Sequence, residues 1–227
     1  MSFSAHHLPP RLFRLSRNND PTKLTEWRHL ATAEPGRWSD PEAEYRVLYA
    51  SDTEVGAYVE VLQDLRPHPS SLELLDAIED DGHFGILLPT VESAARERLR
   101  QYHFAALIPR EGDFIVDVAS PASRTEIETR MRDDLGGQRV KIGDFNGGNR
   151  DFTRRVSRLV FTAAVDGDRE AAGVAARSAE HEPTMCFAYF ETGRETEELR
   201  GGLFLHFVRQ ALDEHNFLRA ALAYITA

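Results

Sequence analysis

Gly36–Glu60, GRWSDPEAEYRVLYASDTEVGAYVE, holds three structural devices in succession. The pair Pro35-Gly36 forms a turn that presents Arg37 and Trp38. Tyr45–Ser51 is β-branched and aromatic and reads as a strand, with Tyr45, Val47 and Tyr49 on one side. Ser51, Asp52 and Thr53 then supply N-cap oxygens, and Glu54 sits where the helix dipole favours a negative charge. Val55, Tyr58, Val59 and Leu62 make the apolar stripe of a helix that runs to about Leu65, ahead of Pro67. Glu60 lies about 140° from Val55 at about 100° per residue, off that stripe. Gly56, one turn earlier, leaves open space above the carboxylate on this reading. Taken singly, Tyr49 reads as core packing and Glu60 as a surface glutamate. Taken together, an arginine, a strand tyrosine and a helical carboxylate can meet in one cleft suited to a charged nucleotide.

Outward from this stretch, residues 1–10 read as a loose arm. Arg11–Ser16 alternates as a half-buried strand, which turns Arg14 away from Phe13 and Leu15 and toward solvent. Asn18–Pro35 is turn-rich, with Asn18-Asn19-Asp20-Pro21 as a breaker. Beyond Pro67-His68-Pro69, helices are expected over Ser71–Glu79 and Val91–Tyr102. His103–Pro109 and Phe114–Ala119 form a strand pair about Glu111-Gly112-Asp113. Ser120-Pro121 opens a helix over Ser123–Leu135. Gly136–Arg150 is glycine-rich but lacks the spacing and lysine of a phosphate-binding loop, and reads as a mobile loop or lid. A helix capped by Asp151 or Thr153 runs through Val165. Ala172–Ser178 and Thr184–Phe190 are neighbouring strands about His181-Glu182-Pro183, and Phe204–Ile225 is expected to be helical, with a break near Asn216. No repeat or composition break marks a second domain, so residues 11–227 read as one.

The 227 residues suffice for one domain with a substantial core, and 41% hydrophobic with 28% charged content excludes general disorder. Acidic residues outnumber basic ones, 37 to 27, for a net charge of −10. That balance argues against nucleic acid as a partner, and a small anion would need a local arginine cluster. The lone Cys186 cannot form an internal disulfide, and MSFSAHHLPPRLFRLS has no apolar signal core. No stretch approaches the ~20 apolar residues of a bilayer span. A cytoplasmic protein is expected. No cysteine–histidine spacing suits a metal. A Ser178 triad with His181 or His206 lacks the GxSxG elbow that would expose the nucleophile.

Phe13-Arg14-Leu15, Gly36–Pro41, Tyr45–Ser51, Ala57-Tyr58-Val59-Glu60, Gly173–Ser178 and Ala188–Glu191 occur in an order that resembles the RES-domain proteins. The resemblance covers about Leu12 to Glu191. Leu15 stands where toxin members often carry an aromatic. The resemblance matches the naming arginine, glutamate and serine of that family to Arg37, Glu60 and Ser178 as catalytic residues, with Arg14 and Tyr49 binding substrate. It implies an α+β fold similar to diphtheria-toxin-type ADP-ribosyltransferases. It also implies cleavage of the nicotinamide–ribose bond of NAD, with water or phosphate as acceptor. NAD is then a substrate, inorganic phosphate a possible co-substrate, and no cofactor or metal is implied. The expected setting is a bacterial toxin neutralised by an Xre-type antitoxin. The alternatives are a catalytically silent nucleotide- or ADP-ribose-binding module and a protein ADP-ribosyltransferase.

Overall fold

The computed structural model describes residues 3–24, 36–65, 91–146, 149–166, 169–178, 183–191, 203–210 and 215–225. The elements are β1 (Leu12–Ser16), β2 (Arg46–Ser51), α1 (Glu54–Leu62) with a 3-10 turn (Gln63–Leu65), α2 (Val91–Leu99), β3 (His103–Pro109) and β4 (Ile115–Asp117). They continue as α3 (Pro121–Arg130), α4 (Arg132–Leu135), α5 (Gly143–Asn146), α6 (Arg150–Thr162), β5 (Ala164–Asp166) and β6 (Arg169–Glu170). The last are β7 (Gly173–Arg177), β8 (Met185–Glu191), β9 (Leu203–Gln210) and α7 (His215–Ile225). This is the α+β class expected. The helix expected over Ser71–Glu79 and the turn residues His181 and Glu182 lie outside the described residues.

Among the described residues, seven strands form one sheet in the order β4-β7-β8-β2-β1-β3-β9, and β5 pairs only with β6. Sheet neighbours are antiparallel except β4 and β7. Although β3 and β4 are consecutive in the chain, they stand five positions apart in that order. Flat strands at about 4.8 Å spacing would put them about 24 Å apart. The chain from Pro109 to Ile115 can reach only about 21 Å. The sheet therefore curls. Leu107 of β3 and Ile115 of β4 share its inner cluster with Leu12, Leu48, Ala175, Phe187 and Tyr189.

The other face carries two helical layers. Ile127, Phe145, Phe152, Val156 and Val160 pack with Trp38, Tyr45, Val174 and Phe190. Tyr58, Val59 and Leu62 of α1 pack with Leu99, Phe104, Leu218 and Ala221.

The expected hairpin of β3 and β4 does not form: β3 pairs with β1 and β9, and β4 with β7. Glu111-Gly112-Asp113 makes a local turn, but β4 is buried on both faces, through Ile115 and Val116, and docks where both can be covered. The expected helix over Phe204–Ile225 is strand β9 followed by α7 from His215. Pairing with β3 satisfies the β9 backbone groups that face it and overrides any helical preference there. The described part of Gly136–Arg150, expected as a lid, is held down by Val140 and Phe145, both buried. The Phe145 ring stacks on Trp38 at 6.4 Å. Residues 3–6, expected as loose arm, dock on β4. His6 N donates to Ile115 O at 2.7 Å, Asp117 N donates to Ser4 O at 2.9 Å, and Phe3 is buried.

One irregularity positions the site. Whereas β1 pairs with β3 along its full length, it meets β2 at a single register position, Phe13 with Ser51. Past that point no ladder joins β1 and β2 among the described residues.

Candidate active site

The corner between β2 and α1 is stitched to the start of β8. Thr53 caps α1, accepting from Gly56 N at 3.1 Å, and its hydroxyl lies 2.9 Å from that of Thr184. Asp52 Oδ1 accepts from Met185 N at 2.9 Å, and Asp52 N donates to Met185 O at 3.1 Å. Gly56 does not leave open space above Glu60 as expected. A Cβ built there would collide with Thr184 and lie 2.5 Å from Ser51 Oγ, so the glycine lets α1 sit directly on β8.

That seating brings Glu60, one turn on, to the end of β7. Ser178 Oγ donates to Glu60 Oε1 at 2.5 Å, and Cys186 Sγ donates to the same oxygen at 3.2 Å. Ser178 is buried and anchored by its own amide, which donates to Thr184 O at 2.8 Å. The surface-glutamate reading of Glu60 is thereby replaced by a partly buried carboxylate with two side-chain donors on one oxygen.

The turn carrying Arg37 is fixed from β2. Tyr49 Oη accepts from Trp38 N at 3.0 Å. Gly36 lies so close that a Cβ would strike that hydroxyl and sit 3.0 Å from Tyr49 Cζ. Burial pushes the Tyr49 phenol above its ordinary pKa, against the opposing influence of the Trp38 amide, Ser39 and the charge of Arg37. The Cys186 thiol is pushed well above its ordinary value by burial and by Glu60, while Arg37 and Ser178 act the other way. The charge of Arg37 thus acts on both Tyr49 and Cys186, and Cys186 is bonded to Glu60. At neutral pH the thiol is protonated and able to donate.

Arg14 overturns its sequence-based expectation of a solvated strand residue. Its Nη1 donates to Tyr49 O at 2.8 Å, while Nε is buried without a hydrogen-bond partner among the described residues. Burial lowers the guanidinium from its ordinary value to about 10, with Tyr49 partly opposing. Because the ladder between β1 and β2 stops at Phe13, the Tyr49 carbonyl has no β1 amide to accept from, and the Arg14 side chain supplies the donor instead. Periodicity assigns a strand residue to a face, not to water.

Of the five residues singled out from the sequence, two pairs are in direct contact and the fifth acts on both through its charge. Glu60 contacts Ser178, Arg14 contacts Tyr49, and the charge of Arg37 reaches Tyr49 and the thiol bonded to Glu60. Sequence reasoning missed Cys186, noted only as unable to form an internal disulfide, and Thr184, which seats Gly56 and Ser178. Their signal is topological: β2 and β8 pair so that Cys186 faces Ser51 at the head of α1. Chemically, a carboxylate oriented by two donors suits a developing positive charge. A half-buried guanidinium with a spare donor suits an anion. Among the described residues, no group of three or more His, Cys, Asp or Glu could hold a metal ion. None of their helices is long and apolar enough to cross a membrane.

A family model described as RES domain matches residues 11–200. A chain of the crystal structure of the M. tuberculosis MbcT-MbcA toxin-antitoxin complex has a similar fold, with a TM-score of 0.55 and 13% identity. The match covers 97% of this chain and 91% of that one. At that identity the likeness speaks for the fold alone. No curated protein sequence matches the chain.

Proposed function

The chain belongs to the RES-domain family, and from that premise we propose that it is the NAD-cleaving toxin of a toxin–antitoxin pair, breaking the bond between nicotinamide and ribose. The observation that carries the reading is the 2.5 Å hydrogen bond from Ser178 to Glu60. Departure of a neutral base leaves an oxocarbenium-like ribose, the charge type that carboxylates stabilise in glycoside cleavage. A unit charge at about 4 Å and an effective dielectric of about 20 contributes on the order of 4 kcal/mol. That corresponds to roughly a thousandfold in rate.

In this reading Ser178 and Cys186 hold one oxygen of Glu60, so the carboxylate needs no reorganisation when the sugar becomes cationic. Ser178 is a positioning donor rather than a nucleophile. Arg37 and Arg14 take the pyrophosphate. For Arg14 the support is its unpartnered buried Nε, since an anion would supply both the missing acceptor and a counter-charge. Tyr49 holds the Arg37 turn through its hydroxyl and offers its ring face to the ribose or nicotinamide. The antitoxin partner is proposed by likeness to the M. tuberculosis complex.

The test is incubation of the purified protein with NAD, with and without phosphate, following free nicotinamide and the ribosyl product. Release without phosphate makes water the acceptor, and release only with phosphate makes it phosphorolysis. Glu60→Gln is expected to retain NAD binding and slow release a hundredfold or more. Undiminished release by that variant would remove the carboxylate from the mechanism. Binding without turnover by the wild type would favour the silent nucleotide-binding module. A mass gain on a target protein would favour protein ADP-ribosylation.

A further inference from the structure

The main chain of residues 37–40 belongs to no helix or strand, so its polar groups must find partners elsewhere. Three successive carbonyls are taken up by side chains of α6. Arg37 O accepts from Thr153 Oγ1 at 2.8 Å, Trp38 O from Ser157 Oγ at 2.8 Å, and Ser39 O from Arg154 Nε at 3.3 Å. On the opposite side, Trp38 N donates to Tyr49 Oη at 3.0 Å. Tyr45 Oη donates to Ser157 Oγ at 2.7 Å, which commits the serine proton to Trp38 O.

Thr153 and Ser157 stand one helical turn apart on the same face and are wholly buried. Helical threonines often bond back to their own preceding turn. Thr153 Oγ1 is 3.1 Å from Arg150 O and 3.5 Å from Asn149 O, but 2.8 Å from Arg37 O, so the turn is its better acceptor. Thr153 and Ser157 both lie on a helix whose Phe152, Val156 and Val160 belong to the apolar core, and a buried hydroxyl there is costly unless paired. The hydroxyls on this face of α6 are accounted for by the turn.

We propose that Thr153 and Ser157 are positioning residues that fix the main chain of Arg37 and Trp38 and so aim the Arg37 guanidinium at the bound nucleotide. This rests on the NAD-cleaving reading for what Arg37 grips, though not for the clamp itself. Misplacing a charged anchor by about 1 Å loosens ligand binding more than it disturbs the fold.

The experiment compares Thr153→Val, which keeps the side-chain shape without the hydroxyl, with Thr153→Ser, which restores it. Ser157→Ala serves as an independent second variant that introduces no new bulk. Two quantities are read: hydrogen exchange at the Trp38 amide and steady-state nicotinamide release from NAD. Thr153→Val and Ser157→Ala are expected to speed Trp38 exchange about tenfold while amides of α1 and β8 keep their protection. KM for NAD should rise roughly three- to tenfold with kcat within about twofold, and Thr153→Ser should bring both readouts back. Unchanged Trp38 exchange in both variants overturns the clamp. Protection lost equally through α1 and β8 does so too, since the hydroxyls would then only support the fold. Quickened exchange with unchanged KM overturns the aiming of Arg37. Absence of nicotinamide release from the wild type overturns the NAD reading instead, and the exchange result separates the two failures.

Discussion

Arg14 is a cation placed in a sheet with fewer partners than its five donors need. Its pKa of about 10 lies below that of an exposed guanidinium, so between the two the folded protein binds fewer protons than the unfolded chain. Stability therefore rises with pH across that window, and below about pH 10 the full cost of the buried charge is present. Arg14→Met is expected to raise the urea midpoint at pH 7 by an equivalent of roughly 1–3 kcal/mol while abolishing NAD binding. The stability gap between variant and wild type should hold steady from neutrality to about pH 10 and narrow above it. A variant less stable than wild type would mean that the bond to Tyr49 O outweighs the desolvation, and would remove the case for a site waiting on an anion. Sequence alternation put Arg14 on one face of β1, but the environment of that face was decided by how β1 and β2 part company.

At the scale of elements, α1 is an arm whose angle sets where Glu60 stands. Its pivot is the seat of Gly56 on Thr184 and Ser51. Gly56→Ala improves intrinsic helix propensity by up to about 1 kcal/mol. It also forces the helix off β8, and overpacking of this kind costs about 1–3 kcal/mol. The net expectation is a lower thermal midpoint and a loss of nicotinamide release larger than any loss of NAD binding, because Glu60 leaves Ser178. A stable, fully active Gly56→Ala protein would show that α1 can shift without dragging the carboxylate. The helix itself was legible, since Thr53, the acidic first turn and the stripe from Val55 to Leu62 are local signals. The same holds for β2, β7 and β8. What a helix rests on is written on another element, and Thr184 lies more than a hundred residues from Gly56.

For the whole molecule, the sheet curls and residues 3–6, part of the arm that sequence reasoning left loose, dock on β4. Phe3 is 5% exposed and packs in the cluster of Trp38, Val118 and Ile127. Phe3→Ala is expected to lower stability by about 3–5 kcal/mol, read by chemical denaturation, where a loose arm would lose nearly nothing. Within 0.5 kcal/mol of wild type, the docking of residues 3–6 would not be part of the folded core. Strand β9 makes the complementary point. Its pairing with β3 settles a segment that composition alone assigned to a helix.

By itself the sequence determined the class of the fold, the strands β1 to β4, β7 and β8 and the helices α1 to α3 and α6 as local elements, the family order of motifs, and five candidate residues for the site, whereas β5 forms where a helix was expected. Periodicity, capping and turn chemistry act between near neighbours in the chain, so they can be read from it directly. The tertiary structure alone decided that Arg14 turns its Nε into the interior, that β3 and β4 have separate partners, that Gly56 is a seat rather than a gap, and that α6 hydroxyls hold the Arg37 turn. Each of those depends on contact between segments distant in sequence, where burial and pairing of polar groups outweigh what any local stretch prefers.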